Sequence, residues 1–257
     1  MSLRSLHAAS FQAVILAAGK GTRMESGRPG RPKVLLLLCG RPILGRVLDV
    51  LAEAGITYPV VVVGRHGEKP IKEALGSACR YALQKEQLGS GHAVMCAQVS
   101  AGRSKNILVI CGDSPLFKAA TIRSLMEAHI REHATITLTS AVLEDPSGYG
   151  RILRDPAGSV SGIVEEKLAT DQQKAVKEVN GGCYAFEADW LWDNIQSMRR
   201  NEAGEYCLTE MVDIAVAQDR KVITVPAELE EIAGVNTPSQ LREAEAIFER
   251  RGDRETG

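Results

Sequence analysis

Apolar positions follow two alternating patterns along the chain. Short runs of aliphatic, often β-branched residues predict strands at 13–17, 59–63, 107–111, 135–142, 182–186 and 221–225. Because consecutive residues in these runs are apolar, we expect a sheet that is covered on both faces. Between the runs, apolar residues recur at helical spacing, as at 43–51 and 121–130. The alternation predicts an α/β fold with a mostly parallel central sheet.

Two stretches depart from this alternation. Residues from about 140 to 186 place turn signals, Asp145-Pro146-Ser147-Gly148 and Asp155-Pro156-Ala157-Gly158, between strand-like pieces. We interpret this stretch as a smaller β-rich lobe over the carboxyl edge of the sheet. Thr237 to Gln240 has the form of a capping box, which predicts a helix to about residue 250 and then a frayed tail. The main domain therefore covers residues 1–238, with the helix and tail at 239–257.

Length and composition limit the class of protein. The 257 residues, 44% of them hydrophobic, suffice for one large or two small domains with a substantial core. The 31 basic and 32 acidic residues nearly cancel, so nothing indicates binding to nucleic acid or to an anionic membrane. No apolar run approaches the ~20 residues of a membrane span. Six cysteines without a C-x-x-C pair indicate free thiols, and we expect a cytoplasmic protein.

A glycine-rich loop follows the first predicted strand. It extends from Leu16 to Met24 and precedes a Pro32-Lys33 pair. Its glycines allow a tight turn whose N–H groups face an anion, and the cationic side chains of both segments add positive charge. Val14 stands where a P-loop needs its first glycine, and Met24 stands where a dinucleotide fingerprint needs its third. The pattern therefore predicts a polyphosphate ligand in another kind of loop.

The loop and the Pro-Lys pair together resemble the signature of the sugar-nucleotide pyrophosphorylases, a family of nucleotidyltransferases. Further landmarks of this family recur in order at Gln84 to Ala93, Gly112 to Leu116, Gly148 to Arg151, Ile163 to Lys167, Glu178 to Asn180, Glu205 to Thr209 and Gly234 to Asn236. The resemblance spans roughly residues 11–236. It is nearest to the N-acetylglucosamine-1-phosphate uridyltransferase branch, which forms one domain of bacterial bifunctional enzymes. An ordered set of motifs is more specific than any single one.

The resemblance implies a three-layer, Rossmann-like nucleotidyltransferase fold with the β-rich lobe on the sugar side. It also implies transfer of a uridylyl group from UTP to N-acetylglucosamine 1-phosphate, with Mg²⁺ as cofactor. The products are UDP-N-acetylglucosamine, used in cell envelope biosynthesis, and pyrophosphate. Because the attacking phosphate oxygen is already ionised, the enzyme needs no general base and must instead offset charge repulsion and hold an in-line geometry. The oligomeric state is left open.

Family positions carry over to this chain residue by residue. Arg23 and Lys33 match the catalytic cations, and Asp113 and Asn236 match the metal ligands. The sugar-binding positions are Gly150, Glu165 and Asn180. The nucleotide-binding positions are Leu16, Ala17, Ala18, Gly19, Gly21, Thr22, Gln84, Gln87, Gly89, Ser90, Cys111 and Gly112.

Residue chemistry alone leaves alternatives open at several of these positions. Asp113 could cap a helix, and Asn236 could make an Asx turn. Gln84 alone would more often be a surface residue. A side-chain amide and the backbone of a glycine turn can, however, read uracil, which presents an N–H donor between two carbonyl acceptors. We interpret His92 as a packing or capping residue at a helix start and Glu166 as part of a solvated charged edge.

The chain also departs from the family pattern near these positions. The segment from Glu25 to Arg31 lengthens the loop, Cys111 replaces a tyrosine, Ser90 and Gly181 each replace a threonine, and Leu168 replaces an aspartate. These changes bear on the sugar assignment more than on the reaction class, so another nucleotide or sugar 1-phosphate stays open. A non-catalytic regulatory relative is a third reading, which the presence of all four catalytic and metal positions disfavours. The sequence has no hexapeptide repeats of an acetyltransferase domain, so we expect no acetyl transfer.

Overall fold

In the computed structural model, which describes residue 8, residues 10–19 and residues 32–252, nine strands form one mixed sheet. In chain order the strands are β1 (Phe11–Ala17), β2 (Leu37–Leu38), β3 (Arg41–Pro42), β4 (Val60–Gly64), β5 (Arg80–Gln84), β6 (Asn106–Cys111), β7 (Ile136–Val142), β8 (Arg151–Arg154), β9 (Val160–Val164), β10 (Glu178–Glu187) and β11 (Val222–Pro226). Strands β2 and β3 form a separate two-stranded ribbon.

Helices and single helical turns connect the strands. The helices are α1 (Ile43–Glu53), α2 (Glu68–Leu75), α3 (Ser90–Ala101), α4 (Ala119–Arg131), α5 (Asp171–Lys174), α6 (Ala188–Asn194), α7 (Glu210–Ala217) and α8 (Pro238–Arg251). Single 3₁₀ turns are at Lys33–Leu35, Glu166–Leu168 and Ile195–Ser197. Among the described residues, no helix combines the length and the apolar character needed to cross a membrane.

The strand order of the sheet is β11-β7-β10-β6-β1-β4-β5. Strand β1 lies inside the sheet, parallel to both β4 and β6, and β5 continues the parallel arrangement beside β4. Strand β10 is antiparallel to β6 and β7, whereas β7 and β11 are parallel. The β8–β9 hairpin joins the sheet through β8 and β10. The predicted α/β fold with a mostly parallel sheet is confirmed.

Helices cover both faces of the sheet and produce three layers. On one face, α1 and α4 contribute buried residues such as Leu44, Leu51 and Leu125. On the other face, α3, α6 and α7 contribute residues such as Val94 and Met211. Every residue of β4 is buried, as expected for a strand between two helical layers.

The apolar pattern located six strands, placed β8 and β9 within the β-rich stretch without bounds, and missed β5 and the short β2 and β3. Strand β5, Arg80–Gln84, alternates buried and partly exposed residues because it forms an edge of the sheet. Strand β10 begins at Glu178 instead of residue 182, because a register shift between Asn180 and Tyr184 interrupts its apolar pattern. Element boundaries depend on such tertiary pairing as well as on local propensity.

Helix α8 begins as its sequence predicts. Thr237 Oγ1 accepts a hydrogen bond from Gln240 N–H at 3.2 Å, and Pro238 occupies the first helical position. The return bond differs from a standard capping box, since Gln240 Oε1 accepts from Asn236 N–H at 2.8 Å. The helix start therefore also fixes the backbone of Asn236.

The loop between β11 and α8 is anchored by Glu231, whose side chain is 1% exposed. Its carboxylate accepts hydrogen bonds from Lys118 N–H and Thr121 Oγ1–H, both at 2.9 Å. Lys118 is the N-cap of α4 and makes no side-chain cap of its own. Glu231 therefore caps α4 from a distant part of the chain and attaches the loop that leads to Asn236.

We predict that Glu231→Ala lowers the free energy of unfolding by about 2–4 kcal/mol, because it removes a buried carboxylate and leaves two partly buried donors without acceptors. Urea unfolding followed by circular dichroism measures the change. The matched control is Glu230→Ala, which removes an exposed ion pair with Arg250 and a longer one with Arg251 and should cost about 1 kcal/mol or less. Equal losses for the two variants would show that Glu231 does not anchor the loop.

Candidate active site

The carboxyl ends of four parallel strands align along one edge of the sheet. Leu16 of β1 pairs with Cys111 of β6, and Gly64 of β4 pairs with Gln84 of β5. Ligands of open α/β sheets bind beyond this edge. Here it borders a cleft of ≈ 400 Å³ lined by Leu16, Ala18, Gly19, Gln84, Gln87, Gly89, Ser90, Ala93, Cys111, Asp113 and Glu205.

Most of these cleft residues were predicted to bind the nucleotide. Two further predicted residues, Ala17 and Gly112, are chain neighbours of cleft residues, and Gly112 N–H donates to Leu16 O at 2.9 Å. A Cβ on Gly112 would lie 3.1 Å from that same oxygen, so a larger residue would require the two strand ends to move apart by a few tenths of an ångström. The predictions for Gly21, Thr22 and Arg23 fall outside the described residues.

Lys33 connects three distant segments at the border of the cleft. Its ammonium group donates to the carboxylate of Asp113, and at 2.8 Å to Asn236 Oδ1. These partners are 80 and 203 positions away in the sequence. The Lys33 and Asp113 side chains are only 11% and 21% exposed, so the charges are partly desolvated and depend on each other.

Contacts with neighbouring residues hold the two side-chain oxygens that accept from Lys33 side by side. Asp113 follows β6, and its carbonyl oxygen accepts from Val235 N–H at 2.8 Å. A Cβ at Gly234 would lie 3.1 Å from Asn236 Nδ2, so a glycine leaves room for the amide. Asp113 does not cap α4, since Glu231 does, and Asn236 Oδ1 accepts from Lys33. The structure therefore shows neither the helix cap at Asp113 nor the Asx turn at Asn236 that the sequence had left open.

The arrangement is chemically suited to a cation. Two oxygens, one from a carboxylate and one from an amide, already converge on the positive charge of Lys33. Mg²⁺ favours this kind of sparse oxygen donor set, in which phosphate oxygens and water complete the coordination. Within the described residues, no group of three or more His, Cys, Asp or Glu side chains comes together as a metal site.

Gln84 is buried at the end of β5 and hydrogen-bonded to the turn at residues 87–91, which we call the glycine turn. Its Nε2 donates to Gly89 O at 3.0 Å and lies 3.1 Å from His92 Nδ1. The interpretation of His92 as a packing or capping residue is therefore incomplete, because its ring takes part in the polar network of Gln84. Gln84 itself is not a surface residue, with only 3% of its area exposed.

The glycine turn is packed tightly against the segment around Tyr206. Gly89 has a φ of +99°, and a Cβ there would lie 2.4 Å from Tyr206 O. Gly91 N–H donates to Tyr206 O, and Tyr206 N–H donates to Leu88 O, each at 2.8 Å. Two independent constraints, the left-handed backbone and the close approach, therefore require glycine at position 89.

Two predicted nucleotide-binding residues also hold the cleft together. Gln87 Nε2 donates to Ala18 O and connects the glycine turn to the loop after β1. Ser90 Oγ accepts from Leu208 N–H at 3.0 Å and connects the turn to the segment before α7. Glu205 also lines the cleft but was not among the predicted site residues, although the Glu205 to Thr209 motif is one of the family landmarks.

The three predicted sugar-binding residues are neighbours. Asn180 N–H donates to Gly150 O at 2.9 Å, and a Cβ on Gly150 would lie 3.6 Å from Glu165 Oε2. Glu165 Oε1 accepts from Thr209 Oγ1–H at 2.9 Å. Glu165 and Thr209 line a second cleft of ≈ 460 Å³, and Glu205 lines both clefts.

The departure from the family pattern at Gly181, near the predicted sugar-binding residues, has a structural explanation. Gly181 lies in the register shift of β10, where a Cβ would meet Thr139 Oγ1 at 2.4 Å. The Thr139 hydroxyl occupies that space and accepts from Cys183 N–H at 3.2 Å.

Glu166 is not part of a solvated edge, because it forms an ion pair with Arg151, whose side chain is 2% exposed.

Cys111 contributes a neutral polar group to the cleft. Burial, with a smaller contribution from the nearby Asp113 carboxylate, raises the pKa of its thiol to about 12. The thiol therefore stays protonated at neutral pH and is a poor nucleophile. Its part in the cleft is to line the space at the end of β6.

Comparisons with known proteins agree with this geometry. The family model of the MobA-like NTP transferase domain matches residues 13–173. The chain is 44% identical over 244 residues to the bifunctional protein GlmU of Heliobacterium modesticaldum, covering 93% of this chain and 52% of that protein. It is also 44% identical over 239 residues to the GlmU of Caldanaerobacter subterraneus, with coverages of 93% and 51%. The chain thus spans about half the length of the curated relatives it matches.

A solved structure extends the comparison to the fold. A Bacillus anthracis protein assigned as a glucose-1-phosphate thymidylyltransferase, crystallised with sucrose, superposes with a TM-score of 0.77. The superposition covers 96% of both chains at 17% sequence identity. At that identity the likeness describes the fold alone.

We predict that Gly89→Ala destabilises the protein about 1–3 kcal/mol more than Gly158→Ala, as judged by urea unfolding. Both glycines have positive φ, but nothing lies within 4 Å of a Cβ at Gly158. The control therefore measures the cost of the left-handed backbone alone, roughly 1 kcal/mol. If the two variants unfold alike, the close packing of the glycine turn on Tyr206 is wrong.

Proposed function

The chain belongs to the family of MobA-like NTP transferase domains, and from this premise we propose that it transfers a uridylyl group from UTP to N-acetylglucosamine 1-phosphate. The reaction is Mg²⁺-dependent and yields UDP-N-acetylglucosamine and pyrophosphate. The observation that carries the proposal is the position of Lys33, held by Asp113 and Asn236 at the border of the cleft. A cation and two metal-type oxygens beside a glycine-rich cleft suit a nucleoside triphosphate.

The proposed reaction joins two anions. An oxygen of the sugar phosphate attacks the α-phosphorus of UTP, the bond from that phosphorus to the β-phosphate oxygen breaks, and pyrophosphate leaves. The nucleophile is ionised at neutral pH, so positioning and charge compensation account for catalysis. Lys33 supplies positive charge to the reacting phosphates, and Arg23 is proposed to do the same for the leaving pyrophosphate.

Asp113 and Asn236 are the residues that would hold Mg²⁺. When bound, Mg²⁺ neutralises phosphate charge and favours departure of pyrophosphate. Backbone contacts through Val235 and Gln240 keep the two oxygen donors in place without the ion. The chain thereby orients both ligands before substrate arrives, which lowers the entropic cost of forming the site.

Base recognition is assigned to the glycine turn. Gln84 is fixed at its position by Gly89 O. Gly89 and Ser90 line the cleft at the start of α3, where the first N–H groups of a helix have no partner within the helix. Uracil offers an N–H donor beside carbonyl acceptors, which matches a side-chain amide oxygen and backbone N–H donors. Gly150, Glu165 and Asn180 are assigned to the hydroxyl and acetamido groups of the sugar.

A second candidate keeps the chemistry and changes the substrates. The structural neighbour from Bacillus anthracis is assigned as a thymidylyltransferase, and thymine presents the same N–H and carbonyl edge as uracil. Cys111, Ser90 and Gly181 also differ from the pattern of the N-acetylglucosamine branch. A transferase for dTTP or for another sugar 1-phosphate is therefore the alternative to test beside the first.

The test of the proposal is pyrophosphate release in the presence of Mg²⁺. UTP, dTTP, CTP, GTP and ATP are each combined with N-acetylglucosamine 1-phosphate, glucose 1-phosphate and galactose 1-phosphate. We expect the highest kcat/KM for UTP with N-acetylglucosamine 1-phosphate. A preference for dTTP or for another sugar would support the second candidate, and no release with any pair would refute both.

We predict that Asp113→Asn lowers kcat by about 10²–10³. The amide is similar in shape but has no charge for a metal or for Lys33. Asp189→Asn is the control, because Asp189 is exposed in the first turn of α6. Circular dichroism and the melting temperature verify folding; a variant that folds normally and keeps wild-type kcat would exclude Asp113 from the site.

We predict that Lys33→Ala lowers kcat at least about 10²-fold while changing UTP affinity less. The reason is that its charge acts mainly where negative charge develops in the transition state. The control is Lys118→Ala, which removes another lysine that is paired with a carboxylate, Glu228, but lies away from the cleft. Isothermal titration and steady-state kinetics separate binding from turnover. An unchanged kcat would place Lys33 outside the reacting centre.

A further inference from the structure

The orientation of the Gln84 amide can be derived from its neighbours. Gly89 O lies 3.0 Å from Gln84 Nε2 and can only accept hydrogen bonds. The side-chain atom that faces it must therefore be the NH₂ group and not the amide oxygen. The reverse orientation would bring two oxygens together in a buried site, where such a repulsion is poorly screened.

The same nitrogen determines the tautomer of His92. Gln84 Nε2 is 3.1 Å from His92 Nδ1, and an amide nitrogen is only a donor. His92 Nδ1 must therefore accept, so the proton of the neutral ring is on Nε2. That atom lies 3.9 Å from Cys96 Sγ, a weak acceptor, and the ring stacks on Tyr206 at a centroid distance of 6.2 Å.

Both hydrogens of the Gln84 NH₂ group now have acceptors, and its oxygen does not have a donor. Within the described part of the chain, no hydrogen bond is directed at Gln84 Oε1, although Gln84 lines the cleft. The backbone N–H groups of Gly89 and Ser90 likewise lack acceptors among the described residues. The turn therefore offers the cleft one fixed acceptor beside two donors.

We propose that His92 is a specificity-determining residue, which fixes the Gln84 amide so that its oxygen faces the base. This inference rests on the proposed function, because it assumes that the cleft holds a nucleobase. Uracil and cytosine have nearly the same shape, but uracil has an N–H donor at the ring position where cytosine has an acceptor. A fixed acceptor therefore pairs with uracil and leaves cytosine opposed by like groups.

Substitutions at His92 separate its acceptor role from its packing. His92→Phe keeps a ring against Tyr206 and removes the acceptor, so Gly89 O alone must hold the amide. We expect the ratio of kcat/KM for UTP over CTP to fall about tenfold, the size of one hydrogen bond of about 1.4 kcal/mol. His92→Asn places an amide oxygen near the position of Nδ1 and should restore the ratio to within about threefold of wild type.

The matched control is Cys96→Ala. It removes the contact on the other side of the imidazole and leaves Nδ1 free to accept from Gln84. We expect its ratio of UTP to CTP to remain as in wild type. A loss of selectivity in Cys96→Ala equal to that in His92→Phe would show that packing around the ring, and not the acceptor, sets the preference.

The tautomer is tested separately by nitrogen NMR of the wild-type protein, with His92 assigned by comparison with His92→Asn. At a pH where the ring is neutral, we expect a directly bonded proton on Nε2 and none on Nδ1. A proton on Nδ1 overturns the inference whatever the catalytic activity. If no nucleotide reacts, the proposed function fails, yet this measurement still decides the orientation of Gln84. If UTP reacts and His92→Phe keeps full selectivity, the inference alone fails.

Discussion

The shared position of the Lys33 ammonium group, between a carboxylate and an amide oxygen, is the constraint on which the site depends. None of the three side chains is fully exposed to water, so each depends on the others for its hydrogen bonds. Removing one would leave a partly buried charge or dipole without a partner. The chain must therefore bring a turn after the first loop, the end of β6 and the start of α8 to one point.

The remainder of the fold holds these segments in place. Glu231 attaches the loop before α8 to the N-terminus of α4, and Val235 bonds to the backbone of Asp113. Elsewhere along the cleft, Gly89 and Gly91 let the Tyr206 segment approach the glycine turn closely. The side chains that face the cleft are thus fixed by backbone contacts of several different elements. Such support from neighbouring elements is what a preorganised site requires.

The fold class could be predicted from the sequence because it depends on local patterns, and the family resemblance indicated most of the residues that line the cleft. Apolar runs locate the buried strands, and parallel strands place the segments after them on one edge. The partners of individual side chains could not be predicted in this way. The hydrogen bond between His92 and Gln84, the cap that Glu231 provides for α4 and the burial of Arg151 beside Glu166 all join residues whose sequence context resembles that of surface positions. Strand β5 was missed for a related reason, since an edge strand does not need a continuous apolar run.

The most direct measurement of the central claim is a crystal structure of the protein with UTP and Mg²⁺. We expect oxygens of Asp113 and Asn236 to lie about 2.1 Å from the metal, the usual distance for Mg²⁺. We also expect Lys33 to contact phosphate and the base to lie against the glycine turn. A structure in which Lys33 stays bonded to Asp113 and the nucleotide binds elsewhere would contradict the claim.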